Sequence, residues 1–157
     1  MRDSAEREPT PRAEAYRRFF QAMIDELRET HRFTGARIGL AQNWYSFASG
    51  VGGFTYGTSF TWNGRVRAEL YIDLGKDDQN KASFDALLNQ KDQIEREFGE
   101  PLVWERQDDR RASRVAIYRA GSIEDNDQTL AEIRKWSIDH LLRLKQVFGH
   151  RLTEAIA

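Results

Sequence analysis

The 157-residue chain has no cysteine, only three prolines and two methionines, and no long apolar run. Without thiols, disulfide frameworks, thiolate zinc sites, iron–sulfur clusters and cysteine nucleophiles are all excluded, and the absence fits a cytoplasmic protein. Charge of one sign is lacking too: 24 Lys plus Arg stand against 25 Asp plus Glu, for a formal net charge of -1 and a pI of about 6.3. A polybasic surface for bulk nucleic acid or anionic lipid is thereby excluded. Mean hydropathy is -0.73, and no stretch approaches the ~20 apolar residues of a membrane span, so no membrane partner is expected. The opening residues, Met1 to Pro11, are charged rather than apolar, unlike a secretory signal.

What is present reads as a disordered leader over 1–12 followed by one α+β domain over 13–157. Thr10 and Pro11 suit an N-cap and first helical position. Tyr16, Phe20, Met23, Ile24 and Leu27 then recur at helical spacing and predict a helix to about Thr30. Residues 33–42 lack a clear period and predict a loop. Aromatic and β-branched residues broken by glycine predict strands near 44–49, 54–62 and 65–74. Asn80 is the expected cap of a second helix carrying Phe84, Leu87, Leu88, Ile94 and Phe98, closed by Gly99 and Pro101. A second hairpin is expected over 102–107 and 112–119, and a long final helix over 127–148, with a short helical tail to Ile156. The expected architecture is a five-stranded, mainly antiparallel sheet with helices packed on it: helix, three-strand meander, helix, hairpin, helix.

The hairpin around Asn63-Gly64 decides which surface is free. Phe54, Tyr56, Phe60 and Trp62 share one side of one strand, and Val66, Ala68, Leu70 and Ile72 share one side of the next. A two-residue Asn-Gly turn would set Trp62 against Arg65 and leave two half-polar faces. A three-residue loop, Trp62-Asn63-Gly64 with the glycine left-handed, sets Phe60 against Val66 and gives one wholly apolar face. Burial of each large apolar side chain is worth roughly 1.5–3 kcal/mol, more than a turn preference, so the three-residue loop is predicted.

In that register Thr55, Gly57, Ser59 and Thr61 share the other face with Arg65, Arg67, Glu69, Tyr71 and Asp73. Arginine forks, a phenol and small hydroxyls suit a phosphate or a planar base, although a solvated face with cross-strand ion pairs is the ordinary use of such residues. Glu69 and Asp73 lie four strand residues apart, on the order of 13 Å, too far for a cooperating carboxylate pair. Gly50-Val51-Gly52-Gly53 joins two strands rather than entering a helix, which fits a turn and not a phosphate loop. His31, His140 and His150 have no metal-ligand spacing, so no metal or cofactor is expected. Glu105 is expected to oppose Arg114 across the second hairpin as an ion pair.

Two resemblances bear on function. The element order is similar to the core of restriction-endonuclease-like nucleases, and Glu69 stands where they carry an acid. Tyr71, however, replaces the lysine that such enzymes need, and residues 54–62 supply no carboxylate. Far more of the chain, about residues 16–150, resembles the prokaryotic domain-of-unknown-function family 4268. The motifs are Asn43-Trp44-Tyr45-Ser46-Phe47, Gly53-Phe54-Thr55-Tyr56, Arg67-Ala68-Glu69-Leu70-Tyr71-Ile72-Asp73, Asn80-Lys81, Phe84-Asp85-Ala86-Leu87, Leu102-Val103-Trp104-Glu105-Arg106 and Ser113-Arg114-Val115-Ala116-Ile117. That resemblance implies no established activity, only an association with nuclease-like domains, nucleic-acid metabolism or defence.

The expected function is therefore a non-catalytic binding module of a nucleic-acid-related system. Its candidate residues are Arg65, Arg67, Glu69, Tyr71 and Asp73, with Glu105 and Arg106 on another strand. The expected partner is nucleic acid or a nuclease-related protein. Two alternatives stand beside it: a divergent metal-dependent nuclease-like enzyme, and a structural homodimer formed through the sheet.

Overall fold

The computed structural model describes residues 10–156. Thr10 caps the first helix, α1 (Pro11–Glu29), by accepting the Ala13 N–H on its side chain. The part of the expected leader before Thr10 lies outside the described residues, and Pro11 and Arg12 belong to α1. After a loop come β1 (Trp44–Ala48), β2 (Phe54–Phe60) and β3 (Arg65–Ile72), then helices α2 (Asp77–Leu88) and α3 (Lys91–Phe98). A hairpin of β4 (Val103–Glu105) and β5 (Ser113–Ala120) leads to α4 (Asp127–Phe148), a 3-10 turn (Gly149–Arg151) and α5 (Leu152–Ile156). The fold is α+β, and its five strands form one fully antiparallel sheet in the order β1-β2-β3-β5-β4. Among the described residues no helix is long and apolar enough to cross a membrane.

The β2–β3 hairpin takes the three-residue loop. Phe60 pairs with Val66, Thr61 N–H donates to the Arg65 carbonyl at 2.7 Å, and Gly64 holds φ +77°, a conformation that a Cβ would strain. The apolar face this creates runs through Phe54, Tyr56, Phe60, Val66, Leu70 and Ile72, all buried. Trp62 opens that loop, as the three-residue register requires, so the strand ends at Phe60 rather than at the expected 62. Its side chain is 97% exposed, because the bulge that brings the other aromatics inward carries it past the end of the ladder.

All the main helices gather on the apolar face. Phe19 of α1 meets Phe60 edge-on at 4.9 Å, Phe84 of α2 and Phe148 of α4 meet Trp104, and Glu95 of α3 accepts the Trp104 indole N–H at 3.1 Å. The opposite face has no helix on it among the described residues.

Two expectations for the second helix are corrected. It is broken at Asn89-Gln90, since the apolar stripe from Phe84 to Phe98 has Lys91 where a continuous helix needs an apolar residue. Asn80 is not a cap but lies inside α2, fully buried. Its side chain accepts the Leu74 N–H at 2.5 Å and donates to the Arg111 carbonyl at 3.0 Å. Beside it Lys81 is 7% exposed and donates to the carbonyls of Arg110, Arg111 and Ala112 and to Ser113 Oγ, at 2.9–3.2 Å. The Asn80-Lys81 pair therefore ties α2 to the β4–β5 turn and holds β5 against β3.

Candidate functional site

The helix-free face of the sheet is concave, and register alone explains its shape. Three rows of side chains cross it. The first is Trp44, Ser59, Arg67 and Tyr118; the second is Ser46, Gly57, Glu69, Ala116 and Val103; the third is Ala48, Thr55, Tyr71, Arg114 and Glu105. The middle row is made of small residues except for Glu69 and Val103, so larger side chains wall it on both sides. The result is a hollow of about 490 Å³ lined by Trp44, Ser46, Thr55, Gly57, Ser59, Arg67, Glu69, Tyr71, Asp73 and Arg114. A second hollow of about 270 Å³ continues past Tyr71, Asp73 and Arg114 to Arg110 and Arg111.

Glu69 forms the floor and is 6% exposed, not the solvated residue that an open face suggests. Arg67 Nε stands 3.4 Å from its Oε2 and Arg114 Nη1 stands 3.4 Å from its Oε1. Neither contact completes the site: Glu69 Oε1 and Arg67 Nε are buried without a hydrogen-bond partner. Burial pushes the Glu69 carboxyl above the ordinary glutamate value and Glu105 adds to the rise, against the opposing pull of Arg67 and Arg114.

The surrounding charges are chained together. Arg114 also approaches Glu105 at 3.7 Å, Glu105 accepts the Tyr118 hydroxyl, and the Arg65 guanidinium lies over the Tyr118 ring at 4.1 Å. Burial and that hydrogen bond to Glu105 raise the Tyr118 hydroxyl above its ordinary pKa. At the rim, partial burial works against ionisation of Asp73. Donors from Arg111 at 2.6 Å, the Gly75 N–H at 3.0 Å and Asn80 at 3.2 Å nevertheless hold its carboxyl below the ordinary range.

The structure therefore brings Arg67, Glu69, Tyr71 and Asp73 to one cavity, with Glu105 at its back through Arg114 and Arg65 outside it on Tyr118. The expected Glu105–Arg114 ion pair is present, on directly opposed residues. Arg106 is elsewhere. It follows the last residue of β4 and turns toward α2, where its guanidinium takes both Asp85 oxygens at 2.9 and 3.0 Å and also meets Asp108.

Among the contributors that escaped the sequence reading as site residues are Trp44, Arg114 and Tyr118. Arg114 and Tyr118 reach the face only because β5 inserts beside β3, a pairing across more than forty residues of chain. Trp44 carried a signal of its own, as a large aromatic opposite Ser59 on an edge strand, and it is 48% exposed at the mouth.

Chemically, the cavity offers two guanidinium groups, one buried acceptor and two accessible rings. A cation on Glu69 would face Arg67 and Arg114, which argues against a metal there. Among the described residues no group of three or more His, Asp or Glu side chains converges to hold a metal ion. No curated protein and no solved structure matches the chain. One family model does, over residues 15–152, so the chain belongs to the family described as Domain of unknown function (DUF4268).

Proposed function

We propose that this protein is a non-catalytic module that holds single-stranded nucleic acid across the open face of its sheet. The observation that carries the reading is a concave antiparallel face on which Trp44 and Tyr71 flank the Arg67–Glu69–Arg114 cluster. Antiparallel sheets with accessible rings take two or three splayed bases by stacking, which is tolerant of sequence and worth ~1–3 kcal/mol per base. From the strand spacing, Trp44 and Tyr71 lie two strands and two rows apart, on the order of 16 Å, which suits separate bases rather than one sandwiched ring.

Arg67 and Arg114 supply phosphate contacts, and the adjoining hollow with Arg110 and Arg111 extends the same basic edge. A local patch of this kind is compatible with a net charge of -1 because it needs few phosphates. With two phosphates engaged, the logarithm of the binding constant falls against the logarithm of salt with a slope of about -1.4. The setting we infer is a nuclease-associated system in the prokaryotic cytoplasm.

The test is fluorescence anisotropy of labelled single-stranded DNA and RNA twelve-mers at low salt. The expected result is saturable, salt-sensitive binding that is lost in an Arg67→Ala/Arg114→Ala variant. No binding by the native protein, or undiminished binding by that variant, overturns the reading.

A further inference from the structure

Glu69 is an unusual residue to find at the floor of an open sheet face. It is almost fully buried, its Oε1 has no hydrogen-bond partner, and the adjacent Arg67 Nε has none either. An unmet buried acceptor is destabilising, and more so when charged. The way to it is over Gly57, where a Cβ would stand 3.6 Å from Glu69 Cγ and 3.7 Å from Oε2. Oε2 is the oxygen on that side and Oε1 lies beside Arg114, so an occupant of the cavity is placed to bring donors to the carboxylate from over Gly57.

The surrounding charge restricts their chemistry. An ammonium, a guanidinium or a metal ion would meet Arg67 and Arg114 at close range, so a neutral donor is required. A carboxylate has two oxygens side by side and pairs best with two adjacent N–H groups. Adenine and cytosine set one amino donor beside a ring-nitrogen acceptor, which a carboxylate repels. Thymine and uracil have a single N–H between two carbonyls. Among the common bases guanine alone presents two adjacent donors, N1–H and N2–H, on its Watson–Crick edge.

We propose that Glu69 selects guanine, its carboxylate accepting the N1–H and N2–H of one base while Arg67 and Arg114 engage the phosphates of the same strand; this rests on the single-strand reading above. Gly57 and Ser46 leave the floor low enough for the edge of the base to reach the carboxylate. Trp44 offers the stacking surface at the mouth.

The experiment compares thymidine heptamers that carry one central guanine, hypoxanthine, adenine or thymine, by anisotropy with the native protein. Hypoxanthine keeps N1–H and lacks the amino group, so it isolates the second donor. The expected result is guanine tighter than hypoxanthine by about tenfold, the size of one hydrogen bond to a charged acceptor, with adenine and thymine no better than hypoxanthine. Glu69→Gln, which keeps the shape of the side chain, is expected to bind all four heptamers alike. Equal binding of the guanine and hypoxanthine heptamers by the native protein overturns guanine selection while leaving single-strand binding intact. Guanine preference surviving in Glu69→Gln overturns the role of Glu69, and failure of every heptamer to bind overturns the single-strand reading itself.

Discussion

Lys81 and Glu69 are buried to nearly the same depth and end in opposite chemical conditions. The Lys81 ammonium meets three backbone carbonyls and a hydroxyl at hydrogen-bond distance, while the Glu69 carboxylate has cations at 3.4 Å on both sides and an oxygen with no bond. Burial of charge is tolerable when donors and acceptors match, as around Lys81, and becomes a standing cost when they do not. The first arrangement belongs to the architecture. The second leaves an acceptor unmet, and that is the feature on which the proposed binding site rests.

The comparison can be broken most forcefully at Lys81. Lys81→Met removes the donor from the carbonyls of Arg110, Arg111 and Ala112 and is expected to cost about 3 kcal/mol of stability, measured by urea denaturation. A loss below about 1 kcal/mol would mean that the β4–β5 turn holds itself in place.

Gly57→Ala sharpens the other half. The new methyl would make only ordinary contacts, 3.4 Å from the Tyr45 carbonyl and 3.6 Å from Glu69 Cγ, so the fold should tolerate it while the passage to Glu69 narrows. Oligonucleotide affinity is expected to fall about tenfold, or ~1.4 kcal/mol, with the melting temperature unchanged. Unchanged affinity would remove Gly57 from the site.

Glu69→Gln should act on stability with the sign opposite to that of Lys81→Met. Its folded pKa is raised, so the folded state holds the proton more firmly than the unfolded chain between the ordinary value of 4.5 and the raised one. Stability contributed by this group is therefore lost as pH rises through that window. The substitution is expected to raise the melting temperature at pH 7 and to have no such effect below about pH 4.5. A lower melting temperature at pH 7 would show that the two arginines stabilise the carboxylate more than burial penalises it.

The smallest effect is expected at Arg106, whose partners Asp85 and Asp108 lie away from the cavity. Arg106→Ala should leave oligonucleotide affinity unchanged in the anisotropy assay, whereas a clear loss would extend the site around the edge of the sheet.

Much of the fold was legible because it depends on short-range patterns. Thr10-Pro11 marked the start of α1, Gly99 ended α3 with φ +93°, and the alternation of Phe54, Tyr56 and Phe60 against Val66, Leu70 and Ile72 set the hairpin register. The end of that strand, expected near 62, falls at Phe60, because alternation carries no information on where a strand leaves the ladder. Asn80 was misplaced because a buried asparagine and a capping asparagine look alike without the Arg111 carbonyl in view. The break between α2 and α3 had a visible cause in Lys91.

Within the site, Arg67, Glu69 and Tyr71 were legible as one face of one strand, since residues two apart on a strand share a side. The burial of Glu69 was not. It depends on Arg114, which arrives from a strand distant in sequence, and on Gly57, whose lack of a side chain matters only because Glu69 stands opposite.

The order of residues along this chain determined, by itself, which side chains share a face and where the central hairpin turns, because a period of two and the burial of aromatic rings act over neighbouring residues. Only the tertiary structure decided that β5 lies between β3 and β4. That placement brings Arg114 to Glu69 and leaves a carboxylate buried with its hydrogen bonds unmade, since contacts between distant strands follow from how helices and sheet pack together and from nothing local.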